Sequence, residues 1–251
     1  MTSFLLIDAG NTRLKWATAQ GKGPIRVAGD ISTKEANSAW IHSLAQKFPR
    51  HQLVLASVVP KLVPIFQRAF SKRIEVITGT SPSLGLTFDY PKPAQLGADR
   101  LAAAVAAHVE KEWPVIIINC GTASAFTVLD AQGRLCGGVI APGLQTQLAS
   151  LIGATAQLPT VTIKTPRRYL GRSTEEAIRS GVLLNFQGGV KEIVQRLTEE
   201  LHGHRRAPYI LLTGGNAHHL AQELEFPVKL RPLLVFEGLL TIGIRVFPSH
   251  P

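Results

Sequence analysis

Short apolar blocks and helix-spaced stretches follow one another along the chain in an order that repeats. "FLLIDAG", "LKWATA" and "IRVAGDI" come first as runs of strand length. A polar-faced helix is expected from about Thr33 to Lys47, then a strand at "LVLASVV", a short helix near Ile65 to Phe70 and a strand at "IEVITG". Beyond the proline-rich "SPSLGLTFDYPKP", an alanine-rich helix should run from Leu96 to about Glu110. The second half reads "VIIIN", "AFTVLD", "LCGGVIA", a helix from about Gly143 and a longer one from about Thr174 to Leu201. It continues with "YILLTGG", a helix near Ala217 to Leu224, "VKL" and a last helix from about Leu234. Three strands followed by alternating helix and strand thus occur twice.

A duplicated unit of this kind predicts an α/β protein with two lobes, each a mixed sheet flanked by helices. The expected division is 1–112 and 113–251, with the last helix free to pack back on the first lobe. A cleft shared by the lobes would receive one polar turn from each.

Those turns carry the first candidate chemistry. "LLIDAGNTRLKWATA" and "IIINCGTASAFTVLD" each place an Asp or Asn, a small residue, Gly and a hydroxyl or amide residue between two strands. Glycine there lets the main chain approach a ligand closely, with Asn11, Thr12 and Thr122 as hydrogen-bond donors. Asp8 ends a buried strand, where a carboxylate is costly unless paired or solvated; a Mg²⁺ carried in with a nucleotide would satisfy it. Lys15 adds positive charge on the next strand. "LLTGGNAHH" supplies a third glycine turn, Gly214 and Gly215, suited to a flat base or ribose lying against backbone. In "YPKPAQLGADRLAAAVAAH", Gly97, Ala98, Asp99 and Arg100 open a helix. Asp99 there can take a substrate proton, and the Arg100 guanidinium matches a carboxylate in two-pronged geometry.

Composition narrows the picture. The 251 residues are 45% hydrophobic, enough for a large core. The apolar runs "WPVIII" and "YILL" are far too short to span a bilayer, and the chain enters a strand at once without a leader, so a cytoplasmic protein is expected. Cys120 and Cys136 lack metal or disulfide spacing and read as buried, reduced thiols. The formal charge of +10 concentrates modestly, in "KTPRRYLGR" (Lys164 to Arg172) and "HGHRR" (His202 to Arg206). Without a nucleic-acid-binding motif, this charge favours small anionic substrates over nucleic acid.

Together, "DAGNTRLKW", "LGADR" preceded by Tyr90, "CGTA", "GGVIAPG", "GRSTEEAIRSG" and "TGG" closely resemble the type III pantothenate kinases, in that family's order and spacing. These enzymes belong to the acetate and sugar kinase, Hsp70 and actin superfamily. The resemblance implies two echoed actin-like, ribonuclease H-like lobes and ATP-dependent phosphorylation of pantothenate to 4′-phosphopantothenate. It assigns Asp8, Ala9, Gly10, Asn11, Thr12, Arg13, Leu14 and Lys15 to the first phosphate loop, with Asp8 helping to hold Mg²⁺. Gly121, Thr122, Gly214 and Gly215 complete the ATP site. Tyr90, Gly97, Ala98, Asp99, Arg100 and Thr174 face pantothenate, with Asp99 as the base. A homodimer and a monovalent cation, K⁺ or NH₄⁺, are also implied.

Two positions depart from the family's pattern. Asn119 stands where many members have the Asp associated with the monovalent cation, and Lys92 where Asn commonly precedes Pro. An amide can ligate K⁺ but brings no charge, so either cation affinity should weaken or the dependence on the ion should vanish. The rival readings are a sugar or small-alcohol kinase of the same superfamily, and a regulatory protein that binds nucleotide without turnover.

Overall fold

The computed structural model describes residues 1–201, 207–221 and 227–248. Two compact units emerge: Met1–Glu112 with Gly133–Cys136 and the C-terminal stretch from Leu233, and Trp113–Gln132 with Gly137–Pro232.

In the first unit, strands β1 (Ser3–Ala9), β2 (Arg13–Gln20) and β3 (Arg26–Ser32) precede helix α1 (Ser38–Lys47). Strand β4 (Gln52–Ser57), helix α2 (Val63–Phe70), strand β5 (Ile74–Val76) and helix α3 (Ala98–Glu110) follow. The sheet order is β3-β2-β1-β4-β5. Pairs β1–β2 and β2–β3 are antiparallel, while β1–β4 and β4–β5 are parallel. Helix α1 starts later than its polar pattern suggests, because the Asn37 side chain accepts from the Trp40 N–H at 3.0 Å and fixes the N-cap there.

Alternation along β1 divides the core between the two faces of the sheet. Leu5, Ile7 and Ala9 join Ile41 and Leu44 of α1 and Phe66 and Phe70 of α2 in one buried cluster. Phe4 faces the other way, toward Gly243 of helix α6 (Leu234–Val246), which also packs on α3.

The second unit contains β6 (Val115–Cys120), β7 (Ala123–Leu129), β9 (Ile140–Pro142), α4 (Leu144–Gly153), α5 (Thr174–Glu200), β10 (Tyr209–Thr213) and β11 (Val228–Leu230). The expected strand at "LCGGVIA" divides into β8 (Leu135–Gly137) and β9 at Gly137 and Gly138, where φ is +147° and +155°. Strands β11-β10-β6-β7 lie side by side, with β9 on β7. β6–β7 is antiparallel, while β6–β10 and β10–β11 are parallel. This repeats β2, β1, β4 and β5 strand for strand, so the protein is α/β with two echoed mixed sheets flanked by helices. The helix expected near Ala217 to Leu224 is a single 3₁₀ turn, Ala217–His219, with 222–224 outside the described residues. The His202 to Arg206 patch also lies outside them.

Candidate active site

Period two along β1 puts Asp8 on the face of Phe4 and Leu6, the side that carries α3 and α6. Lys15 stands directly opposite it on β2, and cross-strand partners share a face. Burial pushes the Asp8 carboxyl up to about 7; Asp99 adds to the rise, and Lys15 opposes it. Two carboxylates and one ammonium are therefore gathered at the end of β1.

Asp99 occupies the first turn of α3, whose N-cap is Gly97. A Cβ on Gly97 would lie 2.7 Å from Asp99 Oδ1, so the missing side chain makes room for the carboxylate. Negative charge there is favoured by the positive end of the helix dipole. Arg100 follows, half-buried; burial pulls its guanidinium below its ordinary value, while Asp99 and Tyr90 act in the opposite direction. Asp99 and Tyr90 are thus each near enough to act on Arg100.

The turn between β1 and β2 is pinned by its backbone. Gly10 N–H donates to the Arg13 carbonyl at 3.0 Å, Thr33 N–H to the Thr12 carbonyl at 3.0 Å and Val58 N–H to the Ala9 carbonyl at 3.0 Å. The Thr33 hydroxyl donates to the Gly10 carbonyl at 2.7 Å. Asn11 and Thr12 are left exposed at the tip. The Arg13 side chain pairs with Asp30. Leu14 is fully buried, so only its backbone can serve a phosphate.

In the second unit three turns are fused through their main chains. Gly121 N–H donates to the Ala123 carbonyl, Gly143 N–H to the Thr122 carbonyl and Asn216 N–H to the Cys120 carbonyl, each at 3.0 Å. The Thr146 hydroxyl also donates to the Thr122 carbonyl. Glycine is required at two of these points. A Cβ on Gly143 would fall 2.2 Å from the Gly121 carbonyl oxygen, and one on Gly214, at φ +92°, 2.7 Å from the Cys120 backbone. Thr122 and Gly215 remain exposed. Asn119 pairs with Ala125 on β7 and Thr213 on β10, its amide oxygen 3.9 Å from a Cβ built on Gly121. Thr174 opens α5 and is exposed, while Lys92 is exposed beside the 3₁₀ turn Pro93–Gln95.

Thr33, Gly143 and Thr146 escaped the sequence reading as site residues. Gly143 could have been found from "GGVIAPG", as a glycine just before a helix. Thr33 carries no such signal, since its partner lies 23 residues away.

Among the described residues no group of three or more His, Cys, Asp or Glu is placed to hold a metal ion. The mutually repelling Asp8 and Asp99 do suit a hard divalent cation that takes its other ligands from phosphate oxygens and water. Among those residues, too, no helix is long and apolar enough to cross a membrane.

The profile of the type III pantothenate kinases matches residues 4–196. A type III pantothenate kinase of Methylacidiphilum infernorum is 35% identical over 240 residues, covering 96% of this chain and 88% of its own. Among solved structures, a Campylobacter jejuni protein assigned to the Baf family of transcriptional activators superposes with a TM-score of 0.63 at 18% identity, covering 96% of this chain and 97% of its own. A Sinorhizobium meliloti protein assigned as a 2-dehydro-3-deoxygalactonokinase gives 0.58 at 12% identity, covering 98% and 100%. The two structures establish the shared actin-like fold, and the sequence matches go further: the chain belongs to the type III pantothenate kinase family.

Proposed function

We propose that the chain transfers the γ-phosphoryl group of ATP to the primary hydroxyl of pantothenate, giving 4′-phosphopantothenate. The observation that carries this reading is the group at the start of α3, where Asp99 sits beside Asp8 and a half-buried Arg100. Asp99 accepts the hydroxyl proton, and Arg100, with Tyr90 beside it, meets the pantothenate carboxylate. A neutral sugar would leave that guanidinium without a carboxylate.

Phosphoryl transfer needs alignment and charge neutralisation more than covalent chemistry from the protein. We assign the exposed Asn11, Thr12 and Thr122 and the backbone of their turns to the ATP phosphates, and the Gly214–Gly215 turn to the nucleoside. Lys15 contributes charge near Asp8. Asp8 would hold Mg²⁺, which when bound neutralises charge on the phosphates. Arg13, held by Asp30, contributes backbone only. A monovalent cation at Asn119 would have an amide oxygen where a carboxylate is common, so K⁺ or NH₄⁺ would bind there more weakly.

A homodimer is the assembly we favour. Ile140, Leu151 and Leu184 are exposed on the second unit. On α5, Leu184 shares its exposed face with Gly181 and Gly188, where nothing lies within 4 Å of an added Cβ. The free thiols of Cys120 and Cys136, together with the need for ATP, fit the cytoplasm.

The test is incubation of purified protein with ATP, Mg²⁺ and pantothenate, with and without K⁺, and identification of products by mass. 4′-Phosphopantothenate should form under both conditions, faster where K⁺ is present at high concentration. ATP turnover with a sugar but not with pantothenate, or no turnover at all, would overturn the reading.

A further inference from the structure

The basic "KTPRRYLGR" stretch is not used by the chemistry above, yet the fold builds it into a cavity. Between α4 and α5 the chain is anchored by buried Val161 and Ile163. Arg179 of α5 reaches back and donates to the Thr162 carbonyl at 3.0 Å. The result is a cavity of about 470 Å³ whose wall includes Lys164, Arg167, Arg168, Arg179 and Glu176.

Charge in this cavity is only partly compensated. Arg179 pairs with Glu175 at 2.8 Å, and Arg168 approaches Glu176 at 3.7 Å. Glu176 is fixed by two further bonds: its carboxylate accepts from the Arg172 N–H at 2.7 Å, and its own N–H donates to the Ser173 N-cap hydroxyl at 3.2 Å. These bonds join the cavity wall to the capped start of a 27-residue helix. Lys164 and Arg167 form no ion pair among the described residues and are exposed. Two cations therefore face the cavity without a counter-charge, backed by two arginines that are already held in place.

We propose that this cavity binds a small phosphate-bearing anion with at least two negative charges. Arginine forks match phosphate oxygens, and Lys164 adds a compact charge. None of these residues belongs to the glycine turns assigned to ATP, although Glu176 and Arg179 share the start of α5 with Thr174, which the family resemblance assigns to pantothenate. An inorganic oligophosphate and an organic phosphate monoester share the required chemistry.

Calorimetric titration of the full chain with inorganic pyrophosphate tests this, in the presence of a saturating non-hydrolysable ATP analogue that fills the nucleotide site. One equivalent should bind per chain, with affinity falling as salt rises. The double variant Lys164→Ala/Arg167→Ala should bind roughly tenfold to a hundredfold more weakly, and Lys164→Arg should retain binding. Circular dichroism and the melting temperature of each variant separate lost binding from lost folding. A parallel titration with glycerol 3-phosphate, a phosphate monoester unrelated to the proposed reaction, identifies the source: the tighter of the two ligands marks the site as serving inorganic phosphate or a phosphate ester. Equal binding by wild type and double variant, or no binding once the analogue is present, would overturn the proposal. So would capture of a short single-stranded oligonucleotide, dependent on Lys164 and Arg167, with no binding of either small anion.

Discussion

Asp8 and Asn119 hold the same place in two strands of one design, and their surroundings differ. Each lies two residues before the glycine of a polar turn, flanked by an antiparallel and a parallel neighbour. Asp8 stands opposite Lys15 and feels Asp99, so its end of the sheet gathers ionisable groups. Asn119 stands opposite Ala125 and beside Thr213, and its end is organised by backbone hydrogen bonds among the Gly121, Gly143 and Gly214 turns. The same turn is thus set in two different surroundings, and under the proposed function the first unit would supply charge and proton chemistry and the second a frame of main-chain and neutral donors.

The largest expected effect of a substitution lies in the charged half. Asp99→Asn cannot accept the hydroxyl proton, and turnover should fall about 10²- to 10⁴-fold with the fold unchanged by circular dichroism. Wild-type turnover in this variant would remove Asp99 from the chemistry.

Asp8 should also reveal itself without substrate. Its folded pKa of about 7 stands above the unfolded value of 3.8, so the folded state holds a proton that the unfolded state releases. The stability this contributes is complete below pH 3.8 and is lost as pH rises toward 7, at a rate of at most about 1.4 kcal/mol per pH unit. In chelator-treated protein, Asp8→Asn should therefore melt higher than wild type at pH 7.5, with the gap narrowing toward pH 4. A gap of the opposite sign would mean that Lys15 outweighs burial and Asp99.

Next in size is Arg100→Ala, which removes a charge-assisted pair worth about 1.5 to 3 kcal/mol. The KM for pantothenate should rise roughly tenfold to a hundredfold while that for ATP hardly moves. An equal rise in both would indicate a general defect and not loss of a carboxylate partner.

In the neutral half the effect should be structural. Gly214→Ala places a Cβ at φ +92° and 2.7 Å from the Cys120 backbone, at a cost on the order of 1 to 3 kcal/mol. A lowered melting temperature with an increased KM for ATP is expected. Unchanged stability would show that the three turns are less tightly joined than their hydrogen bonds indicate.

How much of this was legible in the sequence depended on whether the signal was local. The succession of strands along the chain and the glycine turns could be read because period-two blocks and Gly-containing breaks are written in consecutive residues, whereas their order within each sheet was not. The start of α1 was misplaced because one side chain, Asn37, sets it within a longer polar pattern. The pairing of Arg13 with Asp30 depends on the β2–β3 register, where Lys15 faces Asp30 and the pairing shifts between Trp16 and Ala17. No spacing rule carries that register. Thr33 on Gly10, and the Gly143 backbone against Gly121, are likewise long-range contacts that exist only once the sheets have formed. The placement of Asp99 and Arg100 together was readable because both sit in one turn of one helix.

The division of labour between the two turns is tested most directly by altering both strand-end positions in one assay. Formation of 4′-phosphopantothenate should be measured for Asp8→Asn and for Asn119→Asp, each at saturating ATP, Mg²⁺ and pantothenate and across a K⁺ series. Asp8→Asn should lose activity by roughly a hundredfold or more, because the Mg²⁺ that would neutralise the phosphates loses its carboxylate. Asn119→Asp should stay within a few-fold of wild type at high K⁺ and need less K⁺ for half-maximal rate. A harmless Asp8→Asn, or an Asn119→Asp as damaging as its counterpart, would contradict the account.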